Sequence, residues 1–216
     1  MLELKRLPFE EVNVLPGMQR VHLRLARFRG GTVPAIRLNG QRVQGSRQIA
    51  RALDKLEPEP ALFPADPAQR RAVEEAERWG EQEFQDVPRI VLRWGLVEDL
   101  ALRRWVAAQS NMPMADLSAH LSGPLARYYA RVIGADEPAA RRAMRELPQM
   151  LDHADELLAE GTLALDPPNA ATLQVLSTVR ALSEFEDLRD QVAAHPVASA
   201  AQEFFPQFPG PVPGFI

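Results

Sequence analysis

The sequence predicts an α+β, mainly helical chain, and three observations lead there. Between Thr32 and Leu53 (TVPAIRLNGQRVQGSRQIARAL) a strand-like run, an Asn-Gly pair and a helix-like run follow in immediate succession. Residues Glu57–Pro67 (EPEPALFPADP) then carry four prolines in eleven residues and show no helical period. From Pro67 onward, apolar residues recur at helical spacing and no strand pattern persists. The expected organisation is a small strand-containing unit over residues 1–57, a linker over 58–66, and an all-helical remainder over 67–216.

Val33–Leu38 reads as a short strand. Asn39-Gly40 is the strongest two-residue signal for a hairpin turn of the primed type, because both positions tolerate positive φ. Gln41–Val43 forms the returning strand. Ser46 is a favoured N-cap residue, and Ile49, Ala50 and Leu53 follow at helical spacing. Pro34 is the unusual member, since proline cannot donate to a ladder and is confined to strand starts, edges or bulges. Two readings fit it: a trans proline opening the strand, or a cis Val33-Pro34 bond.

Taken together, Val33-Pro34 opening a strand, the Asn39-Gly40 hairpin and Ser46 at the next helix start resemble the second half of the glutathione transferase N-terminal domain. That domain is thioredoxin-like. The resemblance implies a cis Val33-Pro34 bond, with the backbone of Val33 offered to the cysteinyl part of glutathione. It also implies that Gly45 and Ser46 receive the γ-glutamyl end. Gly45 stands where the family usually has an acidic or amide residue, so the ligand's amino group lacks that side-chain contact. A helix N-terminus with a hydroxyl and unpaired N–H groups suits a carboxylate, although Ser46 alone reads equally well as an ordinary cap.

The fold class implied is an incomplete thioredoxin-like domain followed by an all-α domain. In the family pattern LELKRLPFEEVNV is the tail of the first helix and the second strand, with Phe9, Val12 and Val14 in that strand. The first strand and the residue that activates the thiol would precede Met1, so no catalytic residue is assigned in this chain. Either the start lies upstream or the gene is truncated. The implied function is binding of glutathione, or a similar low-molecular-weight thiol, and its conjugation to an apolar electrophile. The alternative is a non-catalytic binding or scaffold member of the fold. A homodimer in the cytoplasm is the implied state, with no metal, nucleic acid or membrane as partner.

The remaining elements follow from pattern. Residues 17–29 place Val21, Leu25 and Phe28 on one face and Arg20, Arg24 and Arg27 on another, with a stop at Gly30-Gly31. A basic residue of this region often meets the glycyl carboxylate in the family; a solvated basic face is the simpler reading for most of these arginines. Leu62 and Phe63 pin the proline-rich linker. Asp66-Pro67 caps a helix reaching Trp94, with a kink at Pro88. Further helices fall near 98–109 and 114–133, the latter bent at Gly123-Pro124. Another starts after Asp136 and is interrupted at Pro148. Asn169 caps the next, where Thr172 replaces the family's usual acid three residues on. A last helix near 196–205 precedes a proline-rich tail packed by Phe208 and Phe215.

Composition narrows the chemistry. With 216 residues, 46% of them hydrophobic and a net charge of −4, the chain is globular and gives no electrostatic reason for a nucleic-acid partner. The absence of cysteine excludes disulfides, a cysteine nucleophile and thiolate metal sites within these residues. Lysine occurs only at positions 5 and 55, so 23 of the 25 basic residues are arginines. Asp116 with His120, and Asp152 and Asp155 around His153, have metal-like spacings but read as solvated helix faces. Ser46 has no nucleophile elbow around it, because Gln44 and Gln48 occupy the glycine positions. Trp79 divides evenly between core and electrophile pocket; Trp94 and Trp105 read as core.

Overall fold

The computed structural model describes residues 1–14, 18–206 and 210–215. Phe208 of the tail lies outside these. A two-stranded antiparallel sheet is followed by a helical bundle, which fits an incomplete thioredoxin-like unit joined to an all-helical domain. Strands β1 (Ala35–Leu38) and β2 (Gln41–Gln44) pair with Ile36 opposite Val43 and Leu38 opposite Gln41. Asn39 and Gly40 both take positive φ, at 48° and 82°, as a primed turn requires.

The segment around Phe9–Val14 departs from expectation, for it forms no strand. Among the described residues β1 and β2 form the only ladder, this segment lies outside it, and Phe9 and Val12 are exposed. Helix α1 (Gln19–Leu25) is shorter than the sequence suggested and turns a different side inward. Leu23 is buried whereas Val21 and Leu25 face solvent, because the small sheet offers little surface to cover. The helix closes before the Gly30-Gly31 pair. Arg27 adopts φ 63°, and the Phe28 N–H reaches back 2.8 Å to the Leu23 carbonyl in a six-to-one closure.

Helix α2 (Ser46–Leu56) buries Ile49, Ala50 and Leu53. The linker that follows is anchored at both ends. Leu62 donates its N–H to Asp54 at 2.7 Å and accepts from the Ala170 N–H at 3.0 Å, while Leu62 and Phe63 are buried. Asp66 then caps α3 (Pro67–Trp79) through the N–H groups of Ala68 and Gln69.

The expected long helix breaks earlier than proline placement indicated. A π-helical turn at Gly80–Phe84 separates α3 from α4 (Asp86–Glu98), so Pro88 sits in the first turn of α4, where its missing N–H costs nothing. Gly80 lies so close to α9 (Ala170–Ser183) that a Cβ there would meet Gln174 Cγ at 2.9 Å. The break thus falls where the absence of a side chain at Gly80 leaves room for Gln174 and Val175 of α9.

Helices α5 (Leu100–Gln109), α6 (Ala115–Leu121) and α7 (Gly123–Val132) follow, and the expected bend at Gly123-Pro124 is a full break between α6 and α7. Helix α8 (Glu137–Ala159) instead runs unbroken through Pro148. Burial of Leu147, Leu151 and Ala154 along one face offsets the backbone bond that proline removes. Asn169 caps α9 through the Thr172 N–H at 3.0 Å, as its position suggested. Thr172 replaces the reciprocal carboxylate bond with a hydroxyl that reaches the Ala164 carbonyl at 2.6 Å. Helix α9 is buried on nearly every side and is the axis of the bundle, with α3, α4, α10 (Arg189–Ala193) and α11 (Pro196–Phe204) around it. The tail is strapped down by reciprocal backbone bonds between Val212 and residues Glu184 and Glu186, and Phe215 packs near Trp94 and Phe185.

One buried cation ties the N-terminal segment to this frame. The side chain of Lys5 is fully enclosed, and its ammonium donates to Asp54 Oδ1 (2.9 Å) and to the carbonyls of Glu57 (2.6 Å) and Pro60 (2.7 Å). The Pro58 carbonyl adds a longer contact at 3.4 Å, so every ammonium proton has an acceptor, which is what burial of an ammonium demands. Lys5→Ala should therefore lower the unfolding free energy by ~2–4 kcal/mol, measured by urea denaturation; a change below ~0.5 kcal/mol would show that the network is dispensable.

Candidate functional site at the start of helix α2

The backbone brings all four residues singled out by the sequence together. The Val33-Pro34 bond is cis, and the Pro34 carbonyl accepts the Gly45 N–H at 2.9 Å. That bond draws the entry of β1 against the entry of α2. Gln44 fastens the preceding loop, accepting from the Gly30 N–H (2.8 Å) and donating to the Thr32 carbonyl (2.7 Å). Val33 remains 54% exposed, and no described residue pairs with its N–H or C=O.

Gly45 carries the turn into α2 at φ 91° and ψ 139°. That conformation belongs almost only to glycine, so a side chain at this position would impose strain. Gly45, not Ser46, is consequently the cap residue. Ser46 is the first residue of the helix and makes no capping bond. Its hydroxyl instead donates to Glu81 Oε1 in the π-helical turn, at 3.2 Å. The first intrahelical bond joins the Ile49 N–H to the Gly45 carbonyl, so the N–H groups of Ser46, Arg47 and Gln48 precede the ladder and point out of the helix end.

Behind this end lies a cluster of charges that the sequence reading did not find. Glu77 of α3 is 2% exposed and is held by two guanidiniums of α2: Arg47 Nε at 3.2 Å and Arg51 Nη1 at 2.9 Å. Arg47 also faces Glu81, at 3.9 Å. Arg51 lies over the Phe63 ring, 4.7 Å from its centroid. The spacing of Arg47 and Arg51 (i, i+4) marks them as one face, but their partner lies 26 to 30 residues further on. No local pattern announces such a pairing.

Trp79 lies on the core side. It stacks on Phe84 with ring centroids 5.0 Å apart and meets His153 edge-on at 4.7 Å. A cavity of about 730 Å³ is found elsewhere, lined by Leu7, Phe9, Leu23, Phe28, Ile36 and Leu38 among others, and it borders the candidate site only at Val33. Among the described residues no group of three or more acidic or imidazole side chains is arranged to hold a metal. Asp155 is engaged structurally, accepting the Val197 N–H at 2.8 Å and lying 2.7 Å from His195 Nδ1. No described helix is long and apolar enough to cross a membrane.

Residues 1–61 match the family model described as glutathione S-transferase, N-terminal domain, a span that includes β1, β2 and the whole of α2. No curated protein and no solved structure matches the chain. The match, with the mostly helical remainder, supports a glutathione transferase-family member.

Removal of the buried carboxylate should loosen α2 from the bundle. Glu77→Ala leaves Arg47 and Arg51, both partly exposed, without their shared partner, for an expected loss of ~1–3 kcal/mol. Hydrogen exchange should show the amides of α2 deprotected more than those of α9. Equal deprotection of both helices would mean that Glu77 is not what holds α2.

Proposed function

We propose that the chain binds glutathione, or a closely similar low-molecular-weight thiol, at the entry of α2 and conjugates it to an apolar electrophile. The observation that carries this reading is the meeting of the exposed Val33 backbone with the first turn of α2 inside the segment that matches the glutathione S-transferase N-terminal domain. The thiol's cysteinyl amide pairs with the N–H and C=O of Val33 in the manner of an added strand. Its γ-glutamyl carboxylate lies at the helix end, where the Ser46 hydroxyl and the N–H groups of the first turn donate to it and the helix dipole favours negative charge. Held at both ends, the ligand presents its thiol in a fixed position, and the reaction gains from orientation rather than from covalent catalysis by the protein. In solution the protein acts as a dimer of identical chains.

A second reading, binding without conjugation, is favoured by the packing of Trp79 between Phe84 and His153, which leaves its ring to the core. An assay with an activated aryl halide separates the two readings. Turnover above the uncatalysed rate supports conjugation, and binding without turnover supports the alternative.

Ser46→Ala tests the thiol site itself. Since Ser46 is not a cap, the substitution should cost only its bond to Glu81, ~0.5–1.5 kcal/mol of stability. Loss of a hydrogen bond to a carboxylate should weaken glutathione binding by ~1–2 kcal/mol, roughly tenfold, in calorimetric titration. Unchanged affinity would remove Ser46 from the site.

A further inference from the structure

Large and small apolar residues are inverted on α6 and α7. The inward face is small: Ala119, Gly123, Ala126 and Ala130 are buried, with α6 against α5 and α7 against α4. The outward face is large. Met114, Leu117, Leu121, Leu125, Tyr128 and Val132 are all 44% exposed or more, and Met114 and Leu121 reach 73% and 70%. At about 100° per residue these six positions fall on a single line. Ser122, between the two helices, keeps an αR backbone, donates its N–H to Ser118 and accepts from Ala126, so the line carries across the break. Singly exposed apolar residues need no explanation, whereas a contiguous stripe marks an interaction surface.

We infer that two copies of the chain pair through this stripe, antiparallel, about a two-fold axis passing near Gly123. The inference supplies a surface for the dimer proposed above and rests on that dimer. The stripe belongs to the helical part of the chain, outside the residues 1–61 that match the family.

The stripe is its own complement. In an antiparallel pair centred near Gly123, Leu121 meets the partner's Leu125, Leu117 the partner's Tyr128, and Met114 the partner's Val132. The charges fit the same register. Asp116, His120, Arg127 and Arg131 are exposed on one flank of the stripe, and an antiparallel pair brings like flanks together with their sequences reversed. Asp116 therefore faces the partner's Arg131, twice over by symmetry. A parallel pair sets this flank against the other one, where Ser118, Ser122 and Tyr129 carry no charge. Asp116 is open to a second cation: its side chain is 83% exposed, and Arg104, 2.9 Å away, is itself at the surface. Six large side chains in line, with the charged flank beside them, approach the ~800 Å² that each partner gives to a stable pair.

Sedimentation velocity of the full chain at micromolar concentrations tests the pairing. The wild-type chain should sediment as a dimer. Leu121→Glu sets a carboxylate from each copy beside the axis and should weaken the dimer ~100-fold or more. Asp116→Arg should weaken it ~10-fold, and adding Arg131→Asp should restore the affinity to within ~3-fold of wild type. The contact of residue 116 with Arg104 lies within one chain, is present in monomer and dimer alike, and cancels in this comparison. Leu165→Glu, at an exposed apolar residue outside the stripe, should leave the dimer as it was. Circular dichroism and thermal melts should show each variant folded. A dimer that Leu121→Glu leaves intact, or weakens no more than Leu165→Glu does, would overturn this surface while leaving the dimer standing. Failure of the second charge reversal to restore the affinity would overturn the antiparallel register, and the inference with it. A wild-type chain that stays monomeric would overturn the dimer and this surface together, with the thiol site at α2 unaffected.

Discussion

The buried Glu77 carboxylate is the constraint on which the arrangement depends. The two-stranded sheet is too small to enclose a core of its own, so α2, which packs on β1 and β2, needs a further anchor in the bundle. Arg47 and Arg51 on one face of α2 close on Glu77 of α3, while Ala50 on an adjoining face joins the core shared with Leu62, Phe63 and the bundle. A carboxylate that is nearly dry costs desolvation, and it is retained only where cations satisfy it; Arg47 and Arg51 do so while keeping a quarter to a third of their own side-chain surface in solvent. Here two guanidiniums satisfy one carboxylate. The result fixes the direction of α2 and keeps its first turn beside the π-helical turn.

That placement gives the site its chemistry. The start of α2 supplies donors and a favourable dipole, the cis Val33-Pro34 entry leaves an exposed stretch of backbone, and the Pro34–Gly45 bond sets the distance between them. Acidity enters from the opposite side of the joint, through Glu81. A site of this kind depends on the junction between the strand-containing unit and the bundle, which is also where Lys5 and Asp54 fasten the N-terminal segment.

Local rules read correctly wherever the cause was local. Asn39-Gly40 announces the hairpin through its φ requirements, Asp66-Pro67 and Asn169 announce helix starts, and Leu62 and Phe63 announce that the linker is pinned. They failed where the cause lay far along the chain. Phe9–Val14 has the alternation of a strand, but pairing needs a neighbour that no described residue provides. Pro88 was a plausible kink, yet the break falls at Gly80, which packs against the distant Gln174 of α9. Ser46 has the composition of a cap, and Gly45 takes the role because the turn demands φ 91°. Glu77 and Glu81 were invisible as site residues: one helical glutamate resembles another until α3 is placed against α2.

The central claim is that the entry of α2, rather than the apolar cavity or another surface, receives the thiol. The most direct measurement is a two-dimensional amide correlation spectrum of the isotopically labelled chain, recorded during titration with reduced glutathione. The account expects saturable shifts concentrated in the amides of Val33, Gly45, Ser46, Arg47 and Gln48, with smaller changes at Glu81. Shifts confined to the lining of the cavity near Phe9 and Ile36, or a spectrum that glutathione leaves unchanged, would contradict it.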